Sequence, residues 1–105
     1  MYAITNESCK SLVVRVLLWA SQIKEGKPTA SGSSSSRVLN NGCIYNILVS
    51  GERNGIFNIV LYKENCLIVS VNSRFTERKF SSATSLEYVN FDLLREFSEA
   101  VHTDL

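Results

Sequence analysis

The sequence predicts an α+β fold, an antiparallel β-meander of four to five strands packed with an N-terminal and a C-terminal helix. The meander is predicted by three apolar runs within residues 43–72, each alternating with a period of two and separated by short turns. Such alternation, rich in β-branched and aromatic residues, is typical of strands, and short connections make neighbouring strands antiparallel. The C-terminal helix is predicted by an apolar stripe of helical spacing after Asn90.

Glycine and asparagine mark the turns of the meander. Residues 51–55 (GERNG) separate the first run from the second, and residues 63–65 (KEN) separate the second from the third. The odd positions of all three runs are almost entirely apolar, which places these side chains on one face of the sheet. We therefore expect a single core that contains Tyr45, Ile47, Phe57, Ile59, Leu67 and Val69.

Two shorter strands are expected beside the three runs. Residues 35–39 precede Asn40-Asn41-Gly42, and an Asn-Gly pair suits the left-handed backbone of a hairpin turn. Residues 84–89 predict a further edge strand. With these additions the meander has four to five strands.

Residues 5–25 fit two different structures. A helix would give one apolar stripe, with Gly26 at the position that favours a helix end, and the stripe would contain Leu12, Val16, Trp19 and Ile23. A strand would explain the alternation around Arg15 and the extended backbone that Val13-Val14 favours. The length of the segment and its terminal signals favour the helix.

Residues 27–36 read KPTASGSSSS, a composition that predicts a flexible Ser-rich loop. Small polar residues of this kind have no apolar surface to bury. We expect the loop to lie within a single globular domain that spans residues 1–105, since this length suits one domain with a core of its own.

The C-terminal helix is expected to begin after Asn90, because asparagine is a favoured N-cap residue. Its buried stripe would consist of Leu93, Leu94, Phe97, Ala100 and Val101. The opposite, solvent-facing side would carry Asp92, Arg95, Glu96 and Glu99.

Charge is distributed unevenly along the chain, although the net charge is only +1. Residues 1–83 have ten Lys and Arg against five Asp and Glu, whereas residues 84–105 have one against five, a balance of −4. An acidic element of this kind can face a basic partner. The predicted partner-binding residues are Glu87, Asp92, Glu96, Glu99 and Asp104.

The cysteine and histidine content predicts neither an enzyme nor a metal or cofactor site. Cys9, Cys43 and Cys66 are odd in number and lack CxxC spacing, which favours free thiols in a reducing cytoplasm. His102, the one histidine, lies near the C-terminus, where a Cys–His or Ser–His pair would be poorly held. The apolar residues 12–20 are too few to span a bilayer, so no membrane partner is expected.

Residues 74–80 interleave aromatic rings with positive charge, the chemistry by which proteins bind single-stranded nucleic acid. The candidate nucleic-acid-binding residues are Arg74, Phe75, Arg78, Lys79 and Phe80. Glu77 interrupts this segment, and Phe75 and Phe80 equally fit a loop whose rings turn back into the core.

The even positions of the meander form a second face that is only half polar. Apolar side chains such as Ile44, Leu48 and Val60 alternate there with Asn46 and Asn58. A sheet with one wet face is normally more polar than this. Either both faces are covered within the monomer, or this face or a sheet edge meets a partner.

Together these features predict a non-enzymatic cytoplasmic protein that binds another protein. The leading hypothesis is an immunity or inhibitor protein that neutralises a toxin, because an acidic element complements a basic, nuclease-like surface. A small nucleic-acid-binding module is the first alternative, and a secretion chaperone or adaptor is the second.

Overall fold

A computed structural model describes residues 2–3, 13, 16–17, 19, 33–76, 79–80 and 85–104 of the chain. Seven strands and one helix have defined bounds: β1 (Tyr2–Ala3), β2 (Ser33–Val38), β3 (Ile44–Arg53), β4 (Ile56–Lys63), β5 (Cys66–Thr76), β6 (Lys79–Phe80), β7 (Ser85–Val89) and α1 (Phe91–Asp104). No helix within the described residues has the length and apolar character needed to cross a bilayer.

The sheet is an antiparallel meander in the spatial order β1-β7-β5-β4-β3-β2. Five strands are longer than two residues, as the sequence predicts, and each pairs with its neighbour in antiparallel register. The short β1 pairs with the outer side of β7, and β6 pairs with the end of β5. Among the described residues, the outermost strands of the sheet are β2 on one side and β1 on the other.

The turns follow the glycine and asparagine signals. Asn54 and Gly55 connect β3 to β4 and have φ angles of 56° and 78°, the left-handed backbone that a two-residue hairpin requires. Between β2 and β3, Gly42 has a φ of 77° and donates its amide hydrogen bond to the Leu39 carbonyl. The predicted turn at residues 40–42 is therefore confirmed.

Helix α1 packs on one face of the sheet and closes the core. The side chain of Asn90 caps the helix by accepting a hydrogen bond from the Leu93 amide at 3.1 Å. Leu94, Phe97 and Ala100 are buried, and Phe97 contacts Tyr45 of β3 with ring centroids 5.2 Å apart. The predicted cap and apolar stripe are both confirmed.

The predicted core is correct except at Leu67. Tyr45, Ile47, Phe57, Ile59 and Val69 are all buried. The register between β4 and β5 shifts at Leu61/Tyr62, so that Leu67 pairs with Tyr62 on the other face and is only half-buried. Ile68, an even position expected outside, is fully buried instead. A bulge inserts one extra residue into a strand, and strict alternation cannot reveal it.

The Ser-rich segment is partly strand. The predicted flexible loop covers residues 27–36, but Ser33–Ser36 lie in β2 and pair with residues 46–49 of β3. The Ser36 hydroxyl also donates a hydrogen bond to the Asn46 side chain. Backbone pairing with a neighbouring strand outweighs the low strand propensity of serine here. The rest of the loop lies outside the described residues.

The predicted N-terminal helix over residues 5–25 lies mostly outside the described residues. Within that range, Val13, Val16, Leu17 and Trp19 have helical backbone and are buried. The Trp19 ring stacks on Phe97 with centroids 6.1 Å apart, and the Arg37 guanidinium lies 5.1 Å from the Trp19 ring centroid. These side chains therefore belong to the same core as α1.

Candidate functional site

The surface that best fits a functional site is the face of the sheet opposite the core, here called the open face. It is formed by the side chains that alternate with the buried ones, and strand pairing brings them together. Its members are Ser34, Ser36, Val38, Ile44, Asn46, Leu48, Ser50, Ile56, Asn58, Val60, Tyr62, Leu67, Ser70, Asn72, Arg74, Ser85, Glu87 and Tyr88.

Apolar side chains, here called the apolar band, lie along a line across the open face that Asn46 and Ser70 interrupt. Val38 is 65% exposed and lies opposite Ile44, which is 47% exposed. Leu48 is 40% exposed and lies directly opposite Val60, so this pair occupies the middle of the face. Tyr88, which is 43% exposed, extends the band along the same face toward the edge of the sheet at β7. Large apolar side chains that share one exposed surface are typical of a protein contact.

The centre of the open face is free of charge. Arg74 and Glu87 are the charged members whose side chains are described, Arg53 shares the face by its pairing with Ile56, and all three lie away from the central Leu48–Val60 pair. The Arg74 guanidinium is held at the β3–β4 turn, where it donates a hydrogen bond to the Asn54 carbonyl at 2.9 Å. A surface with aromatic and aliphatic residues in its centre and charges only at its margin has the composition of an interface core.

A polar network lies beside the apolar band and links three strands. The Asn58 amide donates hydrogen bonds to the Ser70 hydroxyl and the Asn72 side-chain carbonyl, each at 3.2 Å. The Asn72 amide in turn donates to the Glu87 carboxylate at 2.6 Å. A bulge between β5 and β7 brings Glu87 to this position. The amides are thus oriented by one another, so the polar half of the face is ordered.

The predicted acidic residues do not form one surface. Glu87 lies on the open face, whereas Asp92, Glu96 and Glu99 belong to α1, on the other side of the sheet. Asp92 and Glu99 are exposed, and Asp92 forms an exposed ion pair with Arg95 at 3.6 Å. The side chain of Asp104 lies outside the described residues.

Glu96 differs from Asp92 and Glu99 of α1 because its side chain has a partner on the sheet. Its carboxylate accepts a hydrogen bond from the Lys63 ammonium at 2.5 Å, and both side chains are partly buried. That hydrogen bond raises the pKa of Lys63 above its ordinary value. Glu96 keeps 42% of its side chain exposed, as a residue of the outer side of α1, and also joins α1 to the end of β4.

The candidate nucleic-acid segment is divided by the fold. Phe80 is buried, and its ring lies 4.8 Å from Phe75 and 5.8 Å from Phe57 between centroids. A ring packed in this way has no free face on which a base could stack. Arg74 is exposed, while Arg78 and the side chain of Lys79 lie outside the described residues. The aromatic part of this segment therefore contributes to the core.

Neither likeness to known proteins nor a cluster of metal-ligand side chains assigns a role to the described surfaces. The chain matches no protein-family model, no curated protein and no solved structure. Within the described part of the chain, no three His, Cys, Asp or Glu side chains converge as metal ligands would. Cys43 and Cys66 are free thiols, and Cys9 lies outside the described residues.

Sequence reasoning identified the half-polar face but not its position relative to the acidic helix. The alternation of Ile44, Leu48 and Val60 with asparagines was the available signal. The charge of the face carried a further signal, because the even positions of the three runs (44–50, 56–62 and 66–72) contain no Lys, Arg, Asp or Glu. Which side of the sheet α1 covers depends on tertiary packing and has no local signature.

Proposed function

We propose that this protein acts by binding another polypeptide chain and that the open face is its binding surface. The observation that carries the proposal is the composition of the face, with Leu48, Val60 and Tyr88 in an uncharged, partly exposed band. Exposing these side chains to water is unfavourable by about 25 cal/mol for each Å² of apolar surface. Contact with a partner removes that surface from water.

Within this class, we propose an inhibitor of the immunity type that neutralises a basic toxin. The support is the charge of residues 84–105 and the exposure of Asp92 and Glu99 on α1. Exposed carboxylates attract a basic partner over long range and speed its encounter. Because α1 and the open face lie on opposite sides of the sheet, these carboxylates act on a partner's approach or bind it at a separate surface.

The test of the open face is co-purification. Tagged wild-type protein is expressed together with an untagged wild-type copy of the same chain and purified by its tag. All polypeptides that are retained with the tagged protein are then identified by mass. The experiment is repeated with Leu48→Glu, which puts a charge in the middle of the face. Phe91→Glu is the matched control, since Phe91 is an exposed apolar residue (51%) at the start of α1.

We expect at least one polypeptide to be retained by the wild type and by Phe91→Glu and to be lost from Leu48→Glu. A charge buried without a partner at an interface weakens binding strongly, whereas a glutamate in the first turn of a helix is well tolerated. If Leu48→Glu retains every polypeptide that the wild type retains, the open face is not a binding surface.

A further inference from the structure

We infer that the chain bound to the open face is a second copy of this protein, so that two sheets stack face to face about a two-fold axis. This inference rests on the proposed function, because it names the partner of the same surface. It is carried by three properties of the described residues: the charge of the face, its extent and the placement of its apolar band.

The near absence of charge suits self-association in particular. A two-fold interface places the same patch of both subunits together, so each residue near the axis meets its own copy or a close neighbour. A charged residue there would face a like charge at short range. The Leu48–Val60 pair in the middle and the surrounding Ser34, Ser70 and Asn46 have no charge to repel.

A surface that binds a basic or acidic protein other than this chain would be expected to carry charges of the opposite sign. Complementary charge is the usual means of attracting and orienting such a partner. Here the charges lie at the margin of the face, with Arg74 and, by its pairing with Ile56, Arg53 at the end near the β3–β4 turn and Glu87 on β7. The acidic residues that would suit a basic partner lie on α1, away from the open face.

The extent of the face matches what a modest dimer needs. Five strands about 4.8 Å apart, each contributing about six residues at about 3.3 Å, give a footprint of about 24 by 20 Å. Two such faces bury about 1,000 Å² in total, which is below the roughly 1,200–2,000 Å² of stable interfaces and suits a weak dimer that dissociates on dilution. The strongest self-contact is then expected from the apolar band.

The position of the band also allows this stacking. Val38 and Ile44 lie at one end of the face and Tyr88 at the other, with Leu48 and Val60 between them. A two-fold axis that runs along the band superposes apolar side chains on apolar side chains. The network of Asn58, Asn72 and Glu87 runs from the middle strand β4 to β7 beside the band, and its polar groups are paired with one another or hydrated within the interface.

Face-to-face stacking leaves both copies of α1 on the outside of the dimer. Asp92 and Glu99 would therefore be displayed twice, on two opposite surfaces. The self-contact and the contact with a basic partner use different sides of the molecule, so the two do not compete.

The experiment is sedimentation velocity of the purified full chain over a range of concentrations from about 1 to about 100 μM. The chain has a mass of 11.7 kDa, and the inference predicts a species of twice that mass that dissociates on dilution. Leu48→Glu should raise the dimer dissociation constant at least about 100-fold, because a two-fold interface contains each unpaired charge twice. Phe91→Glu should leave the dissociation constant within about twofold of the wild type.

A second variant of the open face distinguishes loss of the dimer contact from loss of the fold. Val38→Glu changes the most exposed member of the band, on the edge strand β2, where a charge is well tolerated by the fold. It should also weaken the dimer while circular dichroism and the urea midpoint stay close to those of the wild type. Dimer loss in both folded face variants, with Phe91→Glu unaffected, supports the inference.

Three outcomes would overturn it: a wild-type chain of 11.7 kDa at every concentration, a dimer that survives both face variants, or a dimer weakened equally by Phe91→Glu. A wild-type monomer is compatible with the proposed function if the co-purification finds a different polypeptide whose retention is lost in Leu48→Glu. A negative co-purification together with a wild-type monomer removes both proposals.

Discussion

At the scale of single residues, the hydroxyl of Tyr45 is a polar group at the edge of the core. The residue is fully buried, and its oxygen accepts a hydrogen bond from the Asn41 amide at 2.8 Å. Burial raises the pKa of Tyr45 above its ordinary value of 10.0, and the hydrogen bond from Asn41 offsets part of that effect. The folded protein thus holds this proton more tightly than the unfolded chain does.

Tyr45→Phe is expected to change how stability depends on alkaline pH. Since the folded pKa of Tyr45 is raised, its contribution is complete below about pH 10 and is lost as the pH rises through the folded pKa. At about pH 8 the variant should lose about 0.5–1.5 kcal/mol with the hydrogen bond. Urea denaturation at about pH 8 and about pH 11 should show this difference shrinking at the higher pH.

Tyr88→Phe is the matched control for that measurement. Tyr88 is exposed, so the variant removes a hydroxyl without altering the core. A stability difference between wild type and Tyr45→Phe that is the same at both pH values would contradict the assigned effect of burial.

Replacing Gly42 and Gly55 by alanine compares the cost of backbone strain alone with the cost of strain plus a contact with the Arg74 side chain. Their φ angles are 78° and 77°, so alanine should cost about 1–2 kcal/mol at either position. An added Cβ has open space at Gly42, but at Gly55 it would lie 3.1 Å from the Arg74 guanidinium. That flexible tip can move, and the excess cost should be only about 0.5 kcal/mol, the value of its exposed hydrogen bond to Asn54.

The measurement is the free energy of unfolding of Gly42→Ala and of Gly55→Ala, the latter also in an Arg74→Ala background. The excess at Gly55 should disappear when Arg74 is absent, because the cycle then removes both interacting groups. An excess that persists without Arg74 would place its origin in the backbone of the turn.

At the scale of elements, the bulge in β5 decides which of two adjacent apolar residues stabilises the core. Ile68→Ala should cost about 2–5 kcal/mol, because Ile68 is fully buried and its truncation leaves a cavity. Leu67→Ala should cost clearly less, because Leu67 is only partly buried on the open face. Urea denaturation of both variants gives their free energies of unfolding. A larger loss of stability in Leu67→Ala than in Ile68→Ala would indicate that β5 has no bulge here.

The elements differ in how far the sequence could predict them. Helix α1 was predictable to its cap, because Asn90 and the 3.6-residue stripe are local signals. The hairpin turns were predictable for the same reason. Strand β2 was only half predictable, because serines have little strand propensity of their own and Ser33–Ser36 become a strand by pairing with β3.

At the scale of the whole molecule, the acidic side is predicted to control encounter with a basic partner. Reversing Asp92 and Glu99 to Lys should slow association markedly at low salt, since both side chains are exposed. The Asp92 change should also cost about 0.3–1 kcal/mol of stability, because a lysine in the first turn of α1 opposes the helix dipole and replaces the ion pair with Arg95. The defect should shrink near physiological ionic strength, where the Debye length is about 8 Å. Glu96 is excluded from the test because a lysine there would face Lys63.

The measurement is the association rate of a basic polypeptide, other than this chain, identified by co-purification, at low and at physiological salt. Asp92→Asn with Glu99→Gln is the control, and it should give an intermediate rate because it removes charge without reversing it. Equal rates for the wild type and the reversed variant at low salt would mean that α1 has no role in steering.

The sequence alone determined the features that depend on neighbouring residues: the period of two in β3 to β5, the Asn-Gly turns and the capped, amphipathic α1. The tertiary structure alone decided the bulge that buries Ile68, the packing of Phe80 against Phe57 and Phe75, and the ion pair of Glu96 with Lys63. It also decided that α1 covers one face of the sheet and leaves the other open. These features depend on contacts between residues far apart in the chain, whose energies no local pattern records.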